Sequence, residues 1–141
     1  MTELAIENVA YDADGDAIVG ILEQYCMSAG QTLNETKARA ALERADFIVA
    51  HNASADRPLV AQNLPGTEKM RWLCSFRGIE WKQLLGVTSE SLETLMGKAG
   101  LRFTEDHKAG ADARDLKRLL SLKHNGRTYL SRLLPSIEAG T

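Results

Sequence analysis

The stretch ADFIVAHNASADRPLV, residues 45–60, is the part of this chain that most narrows what it can fold into. Asp46, Phe47, Ile48, Val49 and Ala50 read as a buried strand. An apolar run of that kind, without polar alternation, suits a sheet with helices over it. His51, Asn52, Ser54 and Asp56 follow at once. In α/β domains, ligands and chemistry gather just beyond the carboxyl ends of strands. Asp56 is therefore the first candidate for a functional side chain.

The surroundings agree with an α/β domain. ELAIENVAY (3–11) and AIVGILEQYC (17–26) read as two strands, and DADGD between them supplies Asp-Gly turn chemistry for an antiparallel hairpin. Asn34 can cap a helix running to Ala45, with Ala38, Ala41, Leu42 and Ala45 on one face. After Asp56, RPLVAQNLPG predicts a short helix with Pro58 in its first turn, closed by Pro65-Gly66. MRWLCSF (70–76) is a further strand. GIEWKQLLG and SESLETLMGKAG predict two short helices stopped by Gly86 and Gly100, with Ser89 as the cap of the second. LRFTEDHKAG reads as a loop, followed by a helix over 111–123 with Leu116, Leu119, Leu120 and Lys123 at helical spacing. A last helix over 127–138 is striped by Leu130, Leu133, Leu134 and Ile137. A hairpin followed by alternating helices and strands predicts one mixed sheet flanked by helices.

With 141 residues, a single domain over 1–141 is expected, and it is long enough for a proper hydrophobic core. A net charge of −2 argues against a wholesale nucleic-acid coat. Lys69, Arg71, Arg77 and Lys82 cluster, as do Arg114, Lys117, Arg118, Lys123 and Arg127; both groups read as solvated faces. Cys26 and Cys74 lack CxxC or histidine partner spacing and read as buried free thiols of a reducing cytoplasm. No signal pattern and no apolar run of membrane length occurs, so the expectation is a cytoplasmic protein with no membrane partner.

Three polar groups stand out on loops or element ends: Asp56, His107 and Asp112. The spacing His107-x4-Asp112 fits a loop histidine leading into a helix whose first turn carries a carboxylate, a position the helix dipole also favours structurally. Two acids and a histidine suit a hydrolysis in which carboxylates hold Mg²⁺ and the imidazole takes a proton from the attacking water. Mg²⁺ prefers oxygen ligands and keeps several waters, which suits Asp rather than Cys or a His cluster. No zinc spacing, no Gly-x-Ser-x-Gly turn around Ser54 or Ser75 and no phosphate-cradling glycine loop competes.

These residues carry a family resemblance. ALERADFIVAHNASADRPLV resembles the second motif of the DnaQ-like, DEDDh-type 3′–5′ exonucleases, and EDHKAGADA resembles their third, His-x4-Asp. RWLCSFRGIEWK and GRTYLSRLL are similar to segments of one bacterial branch, so the resemblance spans about residues 38–134. It implies a ribonuclease H-like fold, with Asp56 and Asp112 as ligands of Mg²⁺ or Mn²⁺ and His107 as general base. It implies a single-stranded DNA or RNA 3′ end as partner. His51 and Asn52 match positions that shape the strand tip, and Ala55 stands where the family usually has Phe.

The family's opening motif is missing. No Asp-x-Glu occurs before residue 40, and TELAIENVAYDADGDAIVG resembles the family's next strand, after that motif. Glu3 and Glu7 lie four apart rather than two. The implied fold then lacks its first, central strand, which would neighbour the strand ending at Ala50 and leaves two open edges. The hairpin pairing directly with strand 46–50, a homodimer or other chain covering the edge, or a start further upstream would each resolve this. The matching functional alternative is a catalytically impaired exonuclease-fold module that binds nucleic acid or protein.

Overall fold

The computed structural model describes residues 3–104 and 109–134. The chain opens with β1 (Leu4–Asp12) and β2 (Ala17–Met27), joined antiparallel as the hairpin expected from the turn sequence. Two irregularities interrupt its register. Asn8 faces Glu23 but Val9 faces Ile21, and Ala10 faces Gly20 but Tyr11 faces Ile18. Leu22 and Val19 are thereby left without partners, as in β-bulges, and bulged residues are turned away from the ladder. They are also the two most exposed large apolar side chains described, at 72% and 65%.

Helix α1 (Glu35–Glu43) starts where Asn34 accepts the Lys37 amide at 3.1 Å, and it buries Ala38, Ala41 and Leu42. Asn8 of β1 donates to the Ala41 carbonyl at 2.9 Å, fixing this helix to the hairpin. β3 (Ile48–Ala50) leads through His51 and Asn52 into α2 (Ala53–Asn63). β4 (Trp72–Cys74) then lies parallel to β3, pairing Ile48 with Trp72, Val49 with Leu73 and Ala50 with Cys74.

Side chains of β3 and β4 face two different cores. Phe47, Val49 and Leu73 pack into the larger cluster around Trp81, Leu95, Met96, Leu119 and Leu133. Ile48 and Trp72 pack into a smaller one with Leu4, Met27, Ala38, Leu42, Val60 and Leu64. A strand with a core on each side has no polar face, which is why its sequence does not alternate. Leu73 is buried, and the other residues of the two strands are half-buried.

Short helices α3 (Ser75–Gly78), α4 (Trp81–Leu85) and α5 (Leu92–Lys98) follow, then the long α6 (Ala109–Ser121). Gly86 ends α4 at φ 67°, in the left-handed conformation that glycine adopts without penalty. The cap of α5 is Ser91, which accepts the Thr94 amide at 3.3 Å, rather than Ser89, whose hydroxyl accepts from Ser91 N–H. A small hairpin, β5 (Lys123–His124) and β6 (Arg127–Thr128), leads to a 3₁₀ turn over Leu130–Arg132.

Several expectations are corrected. Hydrogen bonding among the described residues divides into three two-stranded sheets, not one mixed sheet, and the hairpin does not pair with β3. The fold is mixed α/β with helices and small sheets. Helix α2 begins before Asp56, so Pro58 lies inside it instead of in its first turn. The expected helix over 127–138 is replaced, within the described residues, by β6 and the 3₁₀ turn. Asn125 at φ 53° and Gly126 at φ 82° make the tight hairpin turn that forces this. Both cysteines are free, but Cys26 is exposed and Cys74 only half-buried.

The hairpin tip is tied across the chain by Asp16. Its carboxylate accepts the Tyr11 hydroxyl at 2.7 Å, the Thr128 amide at 2.8 Å and the Thr128 hydroxyl. Burial, the bond to Asp16 and the Asp16 charge push the Tyr11 phenol up to about 12. Among the described residues no helix is long and apolar enough to cross a membrane.

Candidate functional site

Because β3 and β4 are parallel and paired at Ala50 and Cys74, both chains leave the sheet at the same end. The next residues, His51 and Ser75, therefore meet. His51 Nδ1 lies 3.0 Å from Ser75 Oγ, and the Phe76 amide donates to the His51 carbonyl at 2.9 Å. The Phe76 ring meets the imidazole edge-on at a centroid distance of 5.5 Å. On the far side of the ring, Nε2 lies 2.7 Å from the Glu90 carbonyl. A carbonyl only accepts, so Nε2 carries the hydrogen and, in the neutral ring, Nδ1 accepts from the Ser75 hydroxyl. Burial lowers the His51 pKa, and the nearby Glu90 and Asp56 charges only partly oppose this.

Asp56 lies in the first turn of α2, with its amide donating to the Asn52 carbonyl at 2.9 Å. The positive end of the helix dipole favours a carboxylate there. Its residue surface is open to solvent, yet protein on one side desolvates the carboxyl and raises its pKa; the His51 imidazole pulls the other way. An acid whose pKa burial raises, beside an imidazole that lowers it, is the kind of perturbed group found at functional sites.

Asp112 occupies the first turn of α6 and is exposed, as its spacing suggested. His107, the remaining member of the expected constellation, lies outside the described residues. Among the described residues, no group of three or more His, Cys, Asp or Glu side chains could hold a metal ion. Carboxylate oxygens of the kind Asp56 and Asp112 carry are the ligand type Mg²⁺ prefers, with water and phosphate oxygens filling its remaining positions. Glu7 is no substitute ligand. Its carboxylate is largely buried, 3.2 Å from Lys117 Nζ, and accepts from Gln24 at 2.7 Å.

The buried carboxylate of Asp115, one turn beyond Asp112, belongs to none of the sequence motifs. It accepts the Thr104 amide at 2.9 Å, the Thr104 hydroxyl at 3.2 Å and Arg118 Nη1 at 3.2 Å. It thus fixes the last described residue before the segment that carries His107. Its position one turn after Asp112 and three before Arg118 was the available signal, but a loop partner eleven residues away has no local signature. The basic group on α6 is partly used internally: Lys117 pairs with Glu7, and Arg118 also donates to the Arg102 carbonyl.

Comparison with protein-family models, with curated proteins and with solved structures finds no match for this chain.

Proposed function

We propose that this chain is a 3′–5′ exonuclease-family protein that hydrolyses phosphodiesters from the 3′ end of single-stranded DNA or RNA. The observation that carries the reading is the placement of Asp56. It is a partly desolvated acid in the first turn of a helix, just past the carboxyl end of a parallel strand. Asp56 and Asp112 are the residues that would hold Mg²⁺ or Mn²⁺. When bound, such an ion lowers the pKa of an attacking water and stabilises charge developing on the phosphate. His107, by its spacing from Asp112, is assigned to take the proton from that water.

The finer fold reading within this proposal is a ribonuclease H-like sheet without its central strand. The separate bonding of the hairpin and of β3–β4 is compatible with it. A second copy covering an open edge belongs to the same reading, and the mass in gel filtration tests it.

The alternative is an impaired module acting in binding, and the sequence feature behind it is that no Asp-x-Glu occurs before residue 40. Labelled single-stranded DNA and RNA incubated with Mn²⁺, or with chelator, separate the two readings. Metal-dependent trimming from the 3′ end that Asp56→Ala and Asp112→Ala abolish supports the enzyme. No trimming at high protein concentration leaves the binding module.

A further inference from the structure

His51 does more than fill space at the strand tip. Its backbone carbonyl accepts the Phe76 amide at 2.9 Å and the Cys74 thiol at 3.7 Å, joining the exits of β3 and β4. Its ring joins a third segment, the connection over residues 86–91 between α4 and α5, through the 2.7 Å bond to the Glu90 carbonyl. That connection is otherwise held at one end by Val87, buried in the larger core, and at the other by the Ser91 cap. The Glu90 side chain adds only a 3.8 Å pair with the exposed Lys82, which contributes little. Thr88 and Ser89 stand exposed between these anchors. The imidazole bond ties the connection to the exit of β3, five residues before Asp56.

Ser75, fully buried, completes the arrangement. Its hydroxyl faces both His51 Nδ1 at 3.0 Å and the Ala50 carbonyl at 3.4 Å, so it holds the ring plane from the side opposite Glu90. A ring bonded at both nitrogens has its orientation fixed by two segments distant in sequence. Supporting side chains of this kind keep a site's first-contact groups in place.

We infer that His51 is a positioning residue of the Asp56 site, locking the residue 86–91 connection to the exit of β3 and β4 next to the turn that leads to Asp56. The inference rests on the exonuclease reading for the identity of the substrate, but not for the lock itself.

The test uses the full chain as wild type and as His51→Ala, His51→Asn and His51→Gln. Gln places an amide donor near the position of Nε2 and keeps the Glu90 bond, whereas Asn reaches only towards Ser75. Hydrogen exchange at pH 7 should rise about tenfold, the scale of one lost hydrogen bond, at the amides over 88–94 in the Ala and Asn variants and stay near wild type in Gln. In the trimming assay, KM for the oligonucleotide should rise by about the same factor in Ala and Asn with kcat little changed, and Gln should restore it. Unchanged exchange over 88–94 in the Ala variant overturns the inference, whether or not the wild type trims. So does a rise spread evenly over the chain in all three variants, which marks a merely structural role. A wild type that does not trim counts against the exonuclease reading alone, because the exchange experiment still decides the lock.

Discussion

Removing the Asp115 carboxylate should loosen the approach to the candidate site more than its surface position in the sequence suggests. Asp115 is about 1% exposed, and two of its three bonds go to Thr104, through the backbone amide and the hydroxyl. Hydrogen bonds to a charged group contribute roughly 1.5–3 kcal/mol each, and they do not simply add when one side chain makes both. The Arg118 bond counts for little, because that side chain is 44% exposed and also serves the Arg102 carbonyl. Asp115→Ala therefore should cost about 3 kcal/mol, from two bonds of which the second is partly redundant. Asp115→Asn keeps one carbonyl acceptor in place and should cost about half of that, roughly 1.5 kcal/mol.

Urea unfolding followed by the fluorescence of Trp72 and Trp81 measures the loss directly. With a slope of about 1.5–2 kcal/mol/M, the midpoint for the Ala variant should fall by roughly 1.5–2 M with the slope unchanged. The melting temperature should fall by about 10 °C, taking a few degrees per kcal/mol for a chain of this size. Two results would refute the reasoning. A loss below about 1 kcal/mol for Ala would mean that water replaces the carboxylate at Thr104. An Asn variant as damaged as Ala would mean that charge, not hydrogen bonding, holds the loop.

Three further outcomes are expected. Gly126→Ala should cost about 1–2 kcal/mol, because Gly126 holds φ 82° in the β5–β6 turn and an alanine there is strained even though its Cβ meets nothing; thermal melting checks it. Trp81→Phe should cost about 2–3 kcal/mol in the same assay, since the fully buried indole donates to the Ser75 carbonyl at 2.6 Å and its loss removes that bond and leaves a void behind it. The Tyr11 phenol is raised to about 12, so the folded state holds this proton more tightly than the unfolded chain. Its stabilising contribution is complete below pH 10 and is lost as pH rises towards 12; unfolding midpoints across that range should fall more steeply in wild type than in Tyr11→Phe.

Elements set by neighbouring residues were legible in the sequence. The Asp-Gly turn gave the first hairpin, Asn34 marked the start of α1, and the apolar run before His51 marked β3. The bulges at Val19 and Leu22 were not legible, because an extra residue in one strand leaves no periodic trace. At the end of the chain two local signals competed. Leu130 and Leu133 are spaced as a helix face, but a 3₁₀ turn satisfies the same i, i+3 spacing and buries both. The Asn125-Gly126 pair, a strong hairpin signal, decided the outcome. For the site, the strand-exit position of Asp56 and the first-turn position of Asp112 followed from local pattern. The meeting of His51 with Ser75 and Glu90, 24 and 39 residues away, arises only once β4 lies beside β3.

The two cores explain why the candidate site sits where it does. β3 and β4 form a wall with apolar side chains packed on both faces, so the strands are held from two sides. Chemistry that needs groups held to within about half an ångström is best mounted on such elements. The hairpin has the opposite character. Its outer strand carries Val19 and Leu22 on bulges, a device that twists an edge away from further pairing and blunts strand addition. A second copy that adds a strand to this protein therefore has a poorer template in β2 than in the open edges of β1 or β3. Because β3 ends at His51, a strand added along β3 would run directly alongside the candidate site. Assembly and activity would then be coupled, and trimming measured across a dilution series should fall together with the dimer if that edge is the one used.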